Sequence, residues 1–244
     1  MLVIYTALFG AYDTLRDPVE EYENCKFICF TDQTNLKSDI WEIRVVAGAD
    51  LPPNEMNRRY KLLPHLFLGD YDQSLYIDSN VRLMGNPAVL LKKYDKSGPF
   101  LPRHFSRDCI YKEAIECVVL KKGKYSEIVR QMNFYKEQGM PKNFGLGENN
   151  ILLRRHNDPE IIRLMEAWWF QINTYTMRDQ LSLAYVLWEA GKQFTFLDES
   201  SRQSGGIFGY ELHNSETGRA FYSKVLGKAK FELRRAYFSK IIGL

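Results

Sequence analysis

The chain has 244 residues, of which 45% are apolar, and this is enough to bury a sizeable core in one domain. Its 33 basic residues nearly balance its 30 acidic ones, and the resulting net charge of +3 argues against a nucleic-acid-binding protein, which would carry a denser Lys/Arg face. No stretch approaches the ~20 apolar residues that a membrane-spanning helix requires.

Four segments of the first hundred residues are predicted to be buried strands. They are short apolar runs: Leu2 to Leu8, Lys26 to Phe30, Trp41 to Val46 and Ser74 to Ile77. The stretch from Met56 to Leu68 has helical periodicity, and Pro64 is expected to bend it. Strands that alternate with helices in this way predict an α/β fold in which helices flank a mainly parallel sheet.

The second half of the chain is predicted to be richer in helix. Asp158-Pro159-Glu160 is a strong helix start, because a capping side chain is followed by proline in the first turn and then by an acid. Ser126 is the predicted cap of a helix that ends at Gly139. Two further helices (Asp108 to Lys122, Arg178 to Ala190) and two strands (Asn150 to Arg154, Phe194 to Leu197) are predicted. We see no linker, so residues 1–244 are predicted to form a single domain.

The two ends of the chain bear on its location. Residues 1–9 lack a basic leader and a cleavage site, so they are predicted to be a first strand rather than a signal peptide. The four cysteines are expected to be reduced, in a cytoplasmic protein. Residues 224–244 carry six Lys/Arg among apolar residues. They form either a basic helix that touches the anionic inner face of a membrane or a helix packed on the core, and the second reading is favoured.

The central chemical signal lies at the end of the fourth strand. Asp78 and Asn80 offer two oxygen ligands, spaced i and i+2, that can jointly hold Mn²⁺ or Mg²⁺, and the ion would in turn neutralise a pyrophosphate. Such triplets are also common in turns. Ligands bind at the carboxyl ends of parallel strands, so this position is expected to face a crevice together with Asp13 and Asp32. The preceding helix carries Arg58 and Lys61, which could reach phosphates.

From residue 57 onward the chain resembles the glycosyltransferase A fold. An Arg-bearing helix, 57–61, precedes a strand that ends in a D-x-D-like motif, 78–80. Residues 148–153 resemble the "N-x-G-x-x-L" strand of glycogenin-like and galactosyltransferase-like enzymes. Arg178-Asp179-Gln180 resembles their "D-Q" motif. His213 resembles the late histidine that completes their metal site.

A narrower resemblance covers nearly the whole chain up to about Leu197. The sequence is similar to a glycosyltransferase-like domain family, formerly a domain of unknown function, that occurs in plant cell-wall mucilage proteins and bacterial polysaccharide clusters. The matching positions are Tyr5-Thr6-x-x-Phe9-Gly10-x-Tyr12-Asp13, Cys29-Phe30-Thr31-Asp32, Arg58-x-x-Lys61, His65, Tyr76 to Asn80, His104, Arg107, Glu113-Ala114, Glu148, Arg154, Trp168-Trp169 and Arg178-Asp179-Gln180. The motifs are fairly specific only when taken together.

This resemblance implies a transferase that moves a sugar from a nucleotide-diphosphate-sugar donor to a glycan or lipid-linked acceptor in polysaccharide biosynthesis, with retention slightly favoured. Residues 1–100 would then bind the nucleotide, residues 101–223 the donor sugar and acceptor, and residues 224–244 would be the basic helix. The implied nucleotide contacts are Thr6, Phe9 and Tyr12 beside the base, Asp32 accepting a hydrogen bond from it, and Arg58 and Lys61 at the ribose or phosphates. The implied metal ligands are Asp78, Asn80 and His213. The implied catalytic group comprises Asp179 on sugar hydroxyls, Gln180 near the anomeric carbon and Glu148 as base or charge stabiliser.

One departure from the pattern concerns position 80. Many glycosyltransferase A enzymes have Asp there, and the neutral Asn80 binds a divalent cation less strongly. A non-catalytic module that binds a nucleotide-sugar therefore stays open as an alternative. A metal-dependent hydrolase is the other, although the chain has neither a G-x-S-x-G elbow nor an H-E-x-x-H helix.

The remaining ionisable residues form one cluster and two single sites. His104, Arg107, Tyr111 and Glu113 combine charged and aromatic side chains where a loop meets a helix, and they are assigned to acceptor recognition. A helix N-terminus with a surface ion pair fits these residues equally well. Of the other histidines, His65 is predicted to lie in the core, and His156 is predicted to lie at the surface.

Overall fold

The computed structural model of the chain describes residues 1–10, 13–48, 50–211 and 224–242, with side chains in the last range from Glu232 onward. Two predicted site residues, Tyr12 and His213, lie outside the described residues. No helix in the described part of the chain is long and apolar enough to cross a membrane.

A seven-stranded sheet forms the centre of the molecule, in the order β3-β2-β1-β4-β7-β6-β8. Its strands are β1 (Leu2–Leu8), β2 (Cys25–Thr31), β3 (Glu42–Val45), β4 (Gln73–Ile77), β6 (Phe100–Pro102), β7 (Ile151–Arg154) and β8 (Thr195–Leu197). Only β7 runs antiparallel to its neighbours, β4 and β6. The other pairs are parallel. The predicted α/β fold with a mainly parallel sheet is therefore confirmed. A small second sheet pairs β5 (Val81–Leu83) with β9 (Phe208–Tyr210).

Helices cover the sheet and extend the molecule on one side. They are α1 (Pro53–Leu62), α2 (Ala88–Lys93), α3 (Ile110–Val119), α4 (Tyr125–Glu137), α5 (Pro159–Thr174), α6 (Leu183–Glu189) and α7 (Lys224–Ile242). Alternate residues of β1 enter two different cores. Val3, Tyr5 and Ala7 pack toward α1 and α5, whereas Leu2 and Ile4 pack on the opposite face.

Two helix starts test the sequence rules. Asp158 caps α5, since its carboxylate accepts the backbone N–H of Glu160, as predicted. The predicted cap Ser126 is wrong, because α4 already begins at Tyr125 and no side chain caps it.

Two predicted helices are shorter than expected. The first ends at Leu62, and Pro64 begins a separate 3-10 turn, because a residue before proline is disfavoured in the helical region. The predicted helix from Arg178 to Ala190 is divided at Ser182 into a 3-10 turn, Asp179–Leu181, and α6. In the turn, the Asp179 carboxylate accepts the N–H of its neighbour Gln180.

Helix α7 packs on α3 and α4. The ring centroid of Phe238 lies 5.3 Å from that of Tyr125 of α4, and Arg235 forms two hydrogen bonds with Glu116 of α3. These contacts agree with the favoured reading of a packed C-terminal helix. Contact of this helix with a membrane stays a prediction.

Candidate active site

A cleft of about 480 Å³ opens beyond the end of β4, where the sequence predicts a crevice. Helix α1 supplies Arg58 and Lys61, and the turn after β4 supplies Asp78. The segment before β7 supplies Glu148, and the turn after α5 supplies Asp179 and Gln180. Six of the predicted site residues thus line one cleft: Arg58, Lys61, Asp78, Glu148, Asp179 and Gln180.

Lys61 joins two of these carboxylates. Its ammonium lies 2.7 Å from Oδ2 of Asp179 and 3.3 Å from Oδ1 of Asp78, and only 2% of its side chain is exposed. Arg58 approaches the same Asp179 oxygen at 3.7 Å. A buried ammonium needs such partners, since an isolated charge away from water is strongly destabilised. Three separate segments of the chain are therefore held together by charge at the floor of the cleft.

Asp179 is ionised in this setting. Burial alone would raise the pKa of its carboxyl, but the nearby charges of Arg58, Lys61 and Arg178 outweigh burial and hold the pKa well below its usual range. Its backbone is fixed as well, because the indole N–H of Trp168 donates to the carbonyl of Asp179 at 3.1 Å. The carboxylate is thus a fixed hydrogen-bond acceptor at the cleft.

Arg154 and Tyr5 hold Lys61 from below. The Tyr5 hydroxyl donates to the backbone carbonyl of Lys61 at 2.9 Å, and the buried guanidinium of Arg154 donates to that carbonyl and to the Tyr5 hydroxyl. Burial raises the pKa of Tyr5 to about 12, so its hydroxyl remains a donor. Arg154 belongs to the family pattern, and the structure gives it this supporting position.

Glu148 is held at one end of the cleft by Arg202. Its Oε1 accepts from Nε of Arg202 at 2.6 Å, and the guanidinium of Arg202 lies 4.2 Å from the ring centroid of Phe105 and 4.9 Å from that of Tyr210. Oε2 of Glu148 is buried and has no hydrogen-bond partner among the described residues. One carboxylate oxygen is therefore anchored, and the other has no partner in the described part of the chain.

Other polar atoms of the cleft lining also lack partners. Oδ1 and Nδ2 of Asn149, Oδ1 of Asn150 and Nε of Arg178 are buried without a hydrogen bond to any part of the chain that the structure describes. They include donors as well as acceptors. Buried polar groups in proteins are nearly always paired, so unpaired groups around one cleft need an explanation. A ligand rich in hydroxyl groups, which both donate and accept, would supply the missing partners after small side-chain rotations.

The cleft also has an excess of positive charge. Five cations, Arg58, Lys61, Lys122, Arg178 and Arg202, line it with three carboxylates, Asp78, Glu148 and Asp179. An anionic ligand gains from this balance. Sequence reasoning did not select Asn149, Lys122, Arg202 or Tyr210. Asn149 lies in the run that resembles the "N-x-G-x-x-L" strand, whereas no sequence signal pointed to the other three.

The predicted contacts to a nucleotide base need correction. Thr6 and Phe9 are buried, so neither side chain is available to a ligand. Thr6 lies within β1, at the centre of the sheet, and Phe9 stacks on Tyr60 in the core with ring centroids 5.2 Å apart. Asp32 is half-buried and accepts the backbone N–H of Gly10 at 3.0 Å. Its role toward a base stays a prediction, as does that of Tyr12, outside the described residues.

The predicted acceptor cluster is mostly internal. Tyr111 is wrong as a ligand contact, because it is buried and its hydroxyl donates to the carbonyl of Met140. Glu113 is buried between Arg107, at 2.5 Å, and Cys117. Burial lowers the pKa of the internal His104 to about 4, and Arg107 and Arg202 act in the same direction. Of the four residues, only Arg107 remains partly exposed.

The predicted metal ligands are only partly described. Asp78 lines the cleft with 31% of its side chain exposed, and its Oδ1 accepts from the hydroxyl of Tyr76. Asn80 is buried, and its amide nitrogen donates to the carbonyl of Glu211 at 3.3 Å. His213 lies in the undescribed segment. Within the described ranges, no three His, Cys, Asp or Glu residues lie close enough to hold an ion. Of the two predicted ligands that are described, Asp78 lines the cleft and Asn80 does not, and the role of each as a metal ligand stays a prediction.

Two histidines lie far from the cleft chemistry. His65 is largely buried and 3.6 Å from Glu166, as expected of a core residue. The surface prediction for His156 is wrong. It is buried beneath the turn after α1, where its Nε2 lies 2.9 Å from the carbonyl of Leu68.

Comparisons with known proteins bear on this cleft. The model of the TOD1/MUCI70 glycosyltransferase-like domain family matches residues 1–203, which include all the described cleft residues except Tyr210. The probable hexosyltransferase MUCI70 of Arabidopsis thaliana is 27% identical over 215 residues, covering 76% of this chain and 37% of the plant protein. The chain thus spans little more than a third of that relative. The galactosyltransferase LgtC, in complex with donor and acceptor sugar analogs, overlaps 100% of this chain and 95% of its own, with a TM-score of 0.48 and 12% identity. The match over residues 1–203 confirms the family expected from the motifs: the chain belongs to the TOD1/MUCI70 glycosyltransferase-like domain family.

Proposed function

We propose that this domain is a glycosyltransferase that moves a sugar from a nucleotide-diphosphate-sugar to a glycan or lipid-linked saccharide. One observation carries the proposal. The same cleft combines five cations with buried, unpartnered donors and acceptors on Glu148, Asn149, Asn150 and Arg178. The cations suit a diphosphate, and the unpartnered groups suit the hydroxyls of a sugar. The printed name of the plant relative, a probable hexosyltransferase, supports a hexose as the transferred sugar.

The chain's own residues supply most of the chemistry proposed. Glycosyl transfer leaves negative charge on the departing diphosphate, and fixed cations at that place stabilise the transition state. Arg58 and Arg178 are proposed to face the diphosphate, and Lys61 to hold Asp179 in place. The ionised Asp179 would accept a hydrogen bond from a donor-sugar hydroxyl. Gln180 is proposed to lie near the anomeric carbon. The unpartnered carboxylate oxygen of Glu148 is proposed to accept the proton from the attacking hydroxyl.

A divalent cation is kept as part of the proposal. Asp78 would be its ligand from the described residues, with Asn80 and His213 as the predicted remainder. When bound, Mn²⁺ or Mg²⁺ would add positive charge beside the leaving diphosphate. Because the cleft already carries five cations, the dependence of the rate on metal is expected to be graded rather than absolute.

The test measures nucleoside diphosphate release from a panel of nucleotide sugars, with Mn²⁺, with Mg²⁺ and with a chelator. Asp179→Asn is expected to lower kcat/KM about a hundredfold or more, since it removes a charge fixed at the reacting sugar. Asp72→Asn is the matched control, because Asp72 is exposed and does not line the cleft.

One result would remove a residue from the proposal, and two would overturn it. Release that is equal in Asp179→Asn and wild type would remove Asp179 from the reaction. Stabilisation by a nucleoside diphosphate without turnover of any sugar would indicate a binding module. Liberation of fatty acid or free sugar from a lipid or glycan, with no turnover of nucleotide, would indicate a hydrolase.

A further inference from the structure

The cleft continues into a second hollow at the side of Glu148. This hollow, the 201–210 groove, has a volume of about 660 Å³ and is lined by Met84, residues 201–206 and residues 208–210. The groove and the cleft share Arg202 and Tyr210. A ligand in the groove therefore ends at the two side chains that also border the proposed donor site.

The chemistry at this junction matches the reaction. Arg202 holds Glu148 by one carboxylate oxygen, and the other oxygen is unpartnered. Glu148 thus lines the cleft and is bound by Arg202, which borders both hollows, and a group that accepts a proton from an incoming hydroxyl must lie near such a junction. A donor in the cleft and an acceptor in the groove would meet at this carboxylate.

The lining of the groove indicates what it takes. Ser201, Gln203 and Ser204 offer short polar groups, and Arg202 is the only charged residue of the described lining. Phe105 contacts Arg202 at the edge of the junction and exposes 63% of its surface. Sugars present hydroxyl edges and apolar C–H faces, so they suit a lining of small polar residues beside an exposed aromatic ring. A nucleic acid or a strongly acidic peptide would require more cations than this groove has.

The groove is also rigidly held. Asn150 donates to Ser201 Oγ at 2.9 Å, and the Gln203 amide donates to the carbonyl of Asp198 at 2.7 Å. Lys93, the last residue of α2, and Tyr94 directly after it both bind Glu199. These contacts hold residues 198–203, and the pairing of β9 with β5 holds residues 208–210, so little ordering entropy is lost when a ligand binds.

We propose that the 201–210 groove binds the acceptor, as a neutral glycan chain whose terminal sugar lies against Phe105 and presents its hydroxyl to Glu148. This inference rests on the proposed function. The groove and Phe105 take the place of the residues that the sequence assigned to acceptor recognition. Of those residues, His104 and Glu113 are buried, whereas Phe105, which lies between them in the sequence, is exposed.

The experiment measures acceptor KM and donor KM for short neutral hexose oligosaccharides, with the nucleotide sugar that is turned over best. Phe105→Ala removes the exposed ring, and Ser204→Trp places a large side chain in the groove from an exposed position. Each is expected to raise the ratio of acceptor KM to donor KM about tenfold. Phe170→Ala is the matched control, because Phe170 of α5 is 64% exposed and borders neither hollow.

The outcomes distinguish failure of the groove proposal from failure of the proposed glycosyltransferase function. If both groove variants leave the ratio within about twofold of wild type, the acceptor does not bind in the groove. If no oligosaccharide raises nucleotide release above release to water, the inference also fails, while the proposed transferase stands on its donor turnover. If no nucleotide sugar is turned over at all, the proposed function fails first. Line broadening of the oligosaccharide NMR signals by wild type, lost in Ser204→Trp, provides a readout of binding that does not depend on activity.

Discussion

Acidification is expected to destabilise the fold through two buried histidines, His104 and His156. Burial lowers the pKa of each to about 4, from 6.5. Around His104, the charges of Arg107 and Arg202 act in the same direction, and Glu113 is already paired with Arg107. Around His156, the hydrogen bond to Leu68 opposes the shift and Asp72 opposes it weakly, while Arg154 and His65 add to it. Both imidazoles are therefore neutral in the folded protein at pH 7.

The sign and the size follow from proton linkage. Between pH 6.5 and 4 the unfolded chain binds a proton at each histidine and the folded chain does not, so the free energy of unfolding falls as the pH falls. With these two pKa values, each histidine removes about 2 kcal/mol between pH 7 and pH 5. The hydrogen bonds of His104 also indicate a neutral imidazole in the folded protein. Its Nδ1 accepts the backbone N–H groups of Ser106 and Arg107 and must be unprotonated to do so. Carboxylates with lowered pKa lose their contribution mainly below pH 5, outside this window.

The assay is urea unfolding at pH 7 and pH 5 for wild type, His104→Gln and His156→Gln. We expect wild type to lose about 4 kcal/mol between the two pH values, and each variant to lose about 2 kcal/mol less than wild type. Each variant is compared with itself at two pH values, so a constant loss of stability from the substitution cancels. A wild-type stability that is the same at both pH values, or variants with an undiminished pH dependence, would refute the argument.

Three further predictions concern other parts of the molecule. Trp168→Phe removes the indole donor to the carbonyl of Asp179 and is expected to cost about 1–2 kcal/mol of stability and to raise donor KM, which urea unfolding and kinetics would measure. Unchanged values for both would show that this bond does not position Asp179. Arg202→Met leaves Glu148 buried without its ion partner and is expected to lower kcat/KM for transfer at least about tenfold, whereas Arg234→Met on α7 leaves kcat/KM unchanged. Asp158→Ala removes the cap of α5 and is expected to cost about 1 kcal/mol by thermal or urea unfolding, with no change in donor KM.

The strands and the main cleft residues could be predicted because they depend on local patterns. The apolar runs of β1, β2 and β4 are short and bounded, and the acid at the end of β4 must lie at the carboxyl edge of the sheet. The position of a residue along a strand indicates at which edge of the sheet it lies. It does not indicate how deeply its side chain is buried. Thr6 and Phe9 illustrate this, because Thr6 is buried in β1 between β2 and β4, and Phe9, directly after β1, is buried against Tyr60.

Residues brought together over long sequence distances could not be predicted. Arg202 reaches Glu148 and Phe105 from a loop after β8, and no periodicity marks that loop. His156 follows two arginines in the sequence, which is typical of a surface. Yet Arg154 ends the antiparallel strand β7 inside the sheet, and the chain after it passes beneath Leu68. The reversed direction of β7 is a tertiary property with no local signal.

The unpartnered atoms of the cleft lead to a prediction about the donor sugar. Glu148, Asn149, Asn150 and Arg178 together leave five buried donors and acceptors without partners in the described ranges of the chain. A buried group left unpaired costs about 1–3 kcal/mol, so each of these atoms is expected to be bound by water or by a ligand. We expect hydroxyls of the bound sugar to take this place in the working enzyme.

A site of this kind discriminates strongly against a ligand that lacks a hydroxyl, because the protein group stays buried and unpaired. Deoxy analogues of the preferred donor are therefore expected to lose about ten- to a hundredfold in kcat/KM at each hydroxyl that one of these groups binds. Asn149→Ala is expected to remove that discrimination at one hydroxyl position, because it deletes both amide atoms. If every monodeoxy donor is used as well as its parent, the sugar hydroxyls do not form hydrogen bonds with these atoms. The unpartnered donors and acceptors of the cleft must then bind a different ligand.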